Sequence, residues 1–168
     1  TDGRLDALFN NGAYGQPGAV EDLPRAALEA QFQANVFGWH DLTVQCLGLM
    51  RANGSGRVVQ NSSVLGLVAM KWRGAYNASK FAIEALADTM RLELKGSGIH
   101  IVLIEPGPIA SRFTEHALKA FERNVDAERS HYKDAYERQR ARLSRGGSNR
   151  FKLPPEAVLA KLVKALES

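Results

Sequence analysis

Gly56-Arg57-Val58-Val59-Gln60-Asn61-Ser62-Ser63 is a short apolar run that stops in small polar residues. That pattern predicts a buried strand ending at a surface turn. Downstream, residues 76–95 repeat apolar positions at helical spacing and close on Gly96-Ser97-Gly98, after which Ile99-His100-Ile101-Val102-Leu103-Ile104 reads as a second buried strand halted by Pro106-Gly107-Pro108. Upstream, Leu5-Asp6-Ala7-Leu8-Phe9 ends in Asn10-Asn11-Gly12, again a strand stopping at a turn. Beyond a Gly/Pro loop, Leu28, Phe32, Asn35, Val36, Trp39, Leu42, Thr43 and Leu49 predict a helix over 25–52, with Asn53-Gly54 as its stop. Residues 109–152 form a long polar stretch with helical turns, and Pro154-Pro155 opens a last helix running to Ser168.

Alternation of strand and helix predicts a parallel sheet covered by helices. Right-handed crossovers then bring the strand ends to one edge, where ligands of such sheets bind. The three ends are Asn10-Asn11-Gly12, Asn61-Ser62-Ser63 and Glu105-Pro106-Gly107, so one rim collects the conspicuous residues.

The bulk numbers fit a single domain of a soluble class: 168 residues, 45% hydrophobic and 24% charged. No apolar run is long enough for an integral membrane segment, and no secretory signal opens the chain. The missing initiator Met predicts that the chain does not begin where its gene does. Cys46 alone excludes an internal disulfide and a cysteine-rich metal site, and reads as a buried thiol in a cytoplasmic protein. The four histidines have no ligand spacing, so no metal is expected. Residues 116–152 hold ten Lys/Arg against five Asp/Glu, which accounts for the net charge of +4. Acids are interspersed and aromatics few, so a solvated face is expected there and no nucleic-acid binding.

Tyr76-Asn77-Ala78-Ser79-Lys80 stacks a phenol and an ammonium at i and i+4 on one helical face. A tyrosine is a poor acid or base near neutrality, and a nearby cation favours its phenolate. The alternative is a surface tyrosine beside a solvated lysine. Ser63 stands thirteen residues before Tyr76 at a strand end, where its hydroxyl can meet the phenol or remain an ordinary strand-end group. Asn35 sits mid-helix, where an amide needs a task, either functional or as a structural bridge. Gly107 fits a turn as well as a ligand contact. Trp39 and Trp72 read as core or interface aromatics rather than cofactor stackers, with Trp72 the better candidate of the two for touching a substrate.

The series Asn10-Asn11-Gly12-Ala13, Asn35, Ser63, Tyr76-x3-Lys80 and Pro106-Gly107 resembles the short-chain dehydrogenase/reductase family over roughly residues 5–113. The resemblance implies an α/β, Rossmann-like doubly wound parallel sheet, of which this chain is the second, catalytic half: a single partial NAD(P)-binding domain with a catalytic core (1–113), a substrate lid (114–150) and a C-terminal helix (151–168). It implies NADP or NAD as cofactor and an alcohol or carbonyl compound as substrate. Tyr76 would be the general acid or base, Ser63 would hold the carbonyl, and Lys80 would lower the Tyr76 pKa and bind the nicotinamide ribose. Asn35 would support a water in the proton relay. Asn10 and Gly12 would line the adenosine side, Pro106, Gly107 and Ile109 the nicotinamide, and Ser111 the carboxamide or a phosphate. Ile104-Glu105-Pro106-Gly107-Pro108-Ile109 is similar to the branch handling steroids, retinoids and long aldehydes, which implies an apolar substrate. Paired helices imply a homodimer or homotetramer. The family's usual order of small residues is reversed in Gly12-Ala13, which would strain Ala13 if positive φ were needed there. The upstream Gly-rich turn and the final strand of the family pattern are not in the sequence. A catalytically inactive member serving as a binding or assembly module is the alternative reading.

Overall fold

The computed structural model describes residues 3–145 and 151–167. Three parallel strands, β1 (Ala7–Asn10), β2 (Gly56–Asn61) and β3 (Ile99–Ile104), form one sheet in the order β1-β2-β3. Ala7 pairs with Arg57 and Asn10 with Gln60, while Gly56 pairs with Ile99 and Asn61 with Ile104. All three strand ends therefore fall on one edge, as the sequence predicts. Leu5 and Asp6, expected at the start of the first strand, precede it.

Successive residues of β2 go to opposite faces, the period-2 rule of a strand. Val58 joins Cys46, Met50, Ala87, Ile99 and Ile101 beneath α2 (Gly38–Asn53) and α3 (Gly74–Glu93). Val59 joins Ile104 and Ala165 of α6 (Glu156–Glu167) on the other face. Each of these clusters is apolar, and the area it removes from water stabilises the layers at about 25 cal/mol per Å2. Cys46 is buried, as expected.

The long helix predicted over 25–52 is two helices joined out of phase. α1 (Arg25–Phe32) runs into a π-helical turn at Gln33–Phe37, and α2 follows without a break. Gly54 ends α2 at φ 70°, the left-handed stop that glycine takes without strain.

The polar stretch after β3 holds two full helices, α4 (Phe113–Asn124) and α5 (Lys133–Ser144), where the sequence reading gave only helical turns. They are tied down by an aromatic cluster. Phe121 and Tyr136 pack with Ala19 and Val125, and Trp72 meets Tyr132 at 4.9 Å and Tyr136 at 5.6 Å between ring centroids. The Ala19 N–H donates to the Tyr136 hydroxyl at 2.7 Å, and that hydroxyl donates in turn to Asp22. A parallel bridge pairs Ile109 with Leu153. The connector expected over 144–150 lies outside the described residues from 146 onward, and so does Ser168. Beside β3 a cavity of about 460 Å3 runs between the strand and α6, lined by Val102, Ile104, Pro106, Leu153, Val158 and Ala165 among others. Among the described residues no helix is long and apolar enough to cross a membrane, and no cluster of His, Cys, Asp or Glu could hold a metal.

Candidate active site

Ser63 stands two residues past β2 and caps a short 3-10 turn, its Oγ accepting from the Leu65 N–H at 3.1 Å. Tyr76 and Lys80 lie one turn apart on α3, both buried. The Tyr76 phenol and the Ser63 hydroxyl are neighbours, so the strand end and the helix meet at these two groups. Burial pushes the Tyr76 pKa up from its ordinary value, while the Ser63 hydroxyl and the charge of Arg73 pull it down. The rim thus holds a phenol whose protonation is contested by its surroundings.

Lys80 donates from Nζ to the carbonyl of Asn61 at 2.8 Å. Its ammonium stands 4.4 Å from the centroid of Trp39 and 5.7 Å from that of Tyr76. Burial lowers its pKa from 10.5 to about 7, with Glu84 one turn on pulling upward. Lys80 therefore sits where it can change charge near neutral pH. Trp39 is held in turn by the Gly12 carbonyl, which accepts from its Nε1 at 2.7 Å.

The π-helical turn delivers Asn35 to the same neighbourhood. Its Nδ2 donates to Tyr14 O at 2.9 Å and to Ser79 Oγ at 3.1 Å, and its Oδ1 accepts from the Tyr14 N–H at 3.2 Å. Asn35 touches the residue before Lys80 rather than Lys80 itself, and it pins the loop after β1 to the helix. Asn10 is buried, its Nδ2 donating to Thr43 and Gln60, so this side chain braces the strand end. Gly12 and Gly107 are exposed with no atom within 4 Å of where a Cβ would stand. Ala13 carries no strain, because Trp72 is the one non-glycine with positive φ among the described residues. Pro106 accepts from the Val64 N–H at 3.1 Å, and Ser111 Oγ accepts from the Phe113 N–H at 3.3 Å. Ile109 is half-buried beside them and lines the β3 cavity.

Two neighbours of Tyr76 escaped the sequence reading. Arg73, three residues before it, is the cation that acts on the phenol; the i, i+3 spacing could have revealed it. Phe113, the first residue of α4, packs edge-on against the Tyr76 ring at 5.3 Å. Gly15 makes room for it: a Cβ there would stand 2.7 Å from the Phe113 ring. No local signal in the sequence joins positions 15, 76 and 113. Trp72 is half-buried against Tyr132 and Tyr136, as its reading as a core aromatic expects.

The chain and its fold are similar to those of known proteins. The profile described as short chain dehydrogenase matches residues 1–121, and the chain belongs to that family. It is 43% identical over all of its 168 residues to the uncharacterized oxidoreductase YbbO of Escherichia coli K12, covering 56% of that protein. A crystal structure of a short-chain dehydrogenase from Streptomyces avermitilis superposes with a TM-score of 0.78 at 30% identity, over 99% of this chain and 58% of that one. ElxO with NADP bound superposes with a TM-score of 0.62 at 26% identity, over 64% of this chain and 44% of that one. The chain thus spans about half the length of the relatives it matches.

Proposed function

We propose that the protein is an NAD(P)-dependent oxidoreductase that interconverts an alcohol and a carbonyl compound, with Tyr76 as the general acid and base. The observation that carries this reading is the meeting of Ser63 with a buried Tyr76, one helical turn from a buried Lys80 that donates to the Asn61 carbonyl at 2.8 Å.

The rim fits a nicotinamide nucleotide. Lys80 spends one of three ammonium donors on Asn61 and keeps others for ribose hydroxyls. The open backbone at Gly12 and Gly107 lets a flat group approach closely. Ile109 and Ser111 complete that side, and the structure with NADP bound supports the choice of cofactor class. Bound there, the nicotinamide gives or takes the hydride. Ser63 holds the substrate oxygen by hydrogen bond, and Tyr76 gives that oxygen its proton in reduction or takes it in oxidation. Lys80 and Arg73 stabilise the phenolate left behind. Asn35 holds Tyr14 and Ser79, and so the spacing between the loop after β1 and α3.

Between Ser63 and Tyr76, the exposed side chains of Val64, Leu67, Val68 and Met70 offer an apolar wall, which supports an apolar substrate body. The helices α4 and α5 serve as the substrate-covering lid, a catalytic core preceding it. Exposed Phe37, Leu42 and Val44 near α2 and Phe81 and Leu86 on α3 supply an apolar face for pairing with a second copy.

Tyr76→Phe in the complete gene product should lower reduction of a medium-chain aldehyde by about 10²- to 10⁴-fold. Thermal stabilisation by NADPH should persist. Turnover within threefold of wild type would remove Tyr76 from the chemistry.

A further inference from the structure

Beyond the rim, a cleft of about 570 Å3 opens between α1 and α4. One wall is small and apolar, formed by Pro24, Ala26, Ala27 and Ala30; the other is basic, formed by His116, Lys119 and Arg123, with Tyr14 and Asn124 at its margins. No carboxylate lines it. Glu115 on the same helix pairs with Arg112 and with Lys119, the latter at 2.7 Å, so one cation of the cleft is partly neutralised. Arg123 and the His116 side chain have no hydrogen-bond or ion-pair partner among the described residues. The remaining acid nearby, Glu122, pairs with Arg140 at 3.5 Å. A free guanidinium in a concave site without a counter-charge is matched by an anion brought from outside.

The cleft is mechanically joined to the rim. Tyr14 lines the cleft with its side chain, while its backbone is held by Asn35 at 3.2 and 2.9 Å and by Gln31 at 2.8 Å. Asn124 at the far end donates to Gln16 at 2.7 Å, which fixes α4 against the same loop. Phe113, on the Tyr76 ring, begins the helix that carries all three cations. At 1.5 Å per residue, Lys119 lies about 9 Å and Arg123 about 15 Å along α4 from that contact.

We propose that this cleft is a subsite for an anionic group at the end of the substrate remote from its carbonyl, with Arg123 as the principal contact. The substrate class is an aldehyde or ketone on an apolar chain that ends in a carboxylate or similar anion about 9–15 Å away. The Ala/Pro wall takes the chain and the basic wall takes its charged end. The inference rests on the proposed oxidoreductase reading and narrows it from apolar to amphiphilic.

The test compares nonanal with 9-oxononanoate, which share chain and aldehyde and differ in the remote carboxylate. With the complete gene product and NADPH, each aldehyde takes up one hydride and one proton to give its alcohol while NADPH becomes NADP+. The charged aldehyde should have the higher kcat/KM, and the preference should shrink as salt is raised. In Arg123→Gln the charged-to-uncharged ratio should fall about three- to tenfold, through KM rather than kcat. Equal kcat/KM for the two aldehydes in wild type, or an unchanged ratio in the variant, overturns the subsite. If neither aldehyde is reduced, the oxidoreductase reading fails by itself. Calorimetric titration with nonanoate and nonanol then decides the subsite: nonanoate binding weakened by Arg123→Gln supports it, and equal binding of both probes overturns it.

Discussion

The rim and the lid are held in different ways. At the rim, several buried polar side chains are held by hydrogen bonds: Asn10 to Thr43 and Gln60, Asn35 to Tyr14 and Ser79, Lys80 to Asn61. The lid helices dock through a ring stack of Trp72, Phe121, Tyr132 and Tyr136, with one hydroxyl bridging Ala19 to Asp22. A buried polar network tolerates little displacement, since each broken bond leaves an unsatisfied group. An aromatic stack on loop residues can shift as a body. The proposed site thus rests on polar bonds, and the two helices after β3 rest mainly on ring contacts.

Titration probes the rim most strongly. Lys80 has a folded pKa near 7 against 10.5 unfolded, so between these values the unfolded chain binds the extra proton. Stability should therefore rise with pH from 7 upward, by up to about 3 kcal/mol before tyrosine ionisation intervenes near pH 9.5. Denaturant midpoints across that window measure it, and Lys80→Met should flatten the slope. A profile equally steep in the variant would mean that burial does not lower the Lys80 pKa.

Tyr136→Phe removes one of two hydroxyls that hold this segment to Asp22 and leaves the Ala19 N–H unpaired, at a cost of about 1–3 kcal/mol. Local opening of α5 by hydrogen exchange should increase while α3 stays protected. If α3 opens equally, lid and rim are one cooperative unit and the contrast collapses. Gly15→Ala attacks the single place where lid touches phenol. The Cβ forces the Phe113 ring aside, with about 1–2 kcal/mol of overpacking strain. KM should change more than kcat, whereas a fall in kcat alone would make Phe113 part of the chemistry. The smallest effect is expected from Arg73→Leu. Removing that charge lets burial raise the Tyr76 pKa further, so the ascending limb of the pH profile for oxidation, where Tyr76 must be deprotonated, should move upward by less than about one pH unit. A downward move would contradict the direction of the Arg73 effect.

Much of the rim was legible because its signals are local. Strand runs that stop in small polar residues, and Tyr76 with Lys80 at i and i+4, need no tertiary information. The lid was less legible for a physical reason. α5 has no apolar stripe and holds on through isolated aromatics at positions 132 and 136, which periodicity does not register. The meeting of Gly15, Tyr76 and Phe113 joins three elements distant in sequence, and nothing near any one of them announces it. The π-helical turn was equally hidden, since its residues Gln33-Ala34-Asn35-Val36-Phe37 are ordinary helix formers in composition.

That turn makes the helix behave like a screw thread with one deliberate mis-cut. Each residue of an α-helix advances the face by about 100°, so an extra residue absorbed at 33–37 resets the angular origin for everything after it. Trp39, Thr43, Cys46 and Met50, all buried, owe their bearing on the sheet to this offset. Loss of one residue there would keep the composition and hydropathy of the segment almost unchanged, yet turn that whole seam toward water. In comparing such chains, the phase of the helix across residues 33–37 is therefore a more demanding criterion of a working rim than the identity of any one side chain on it.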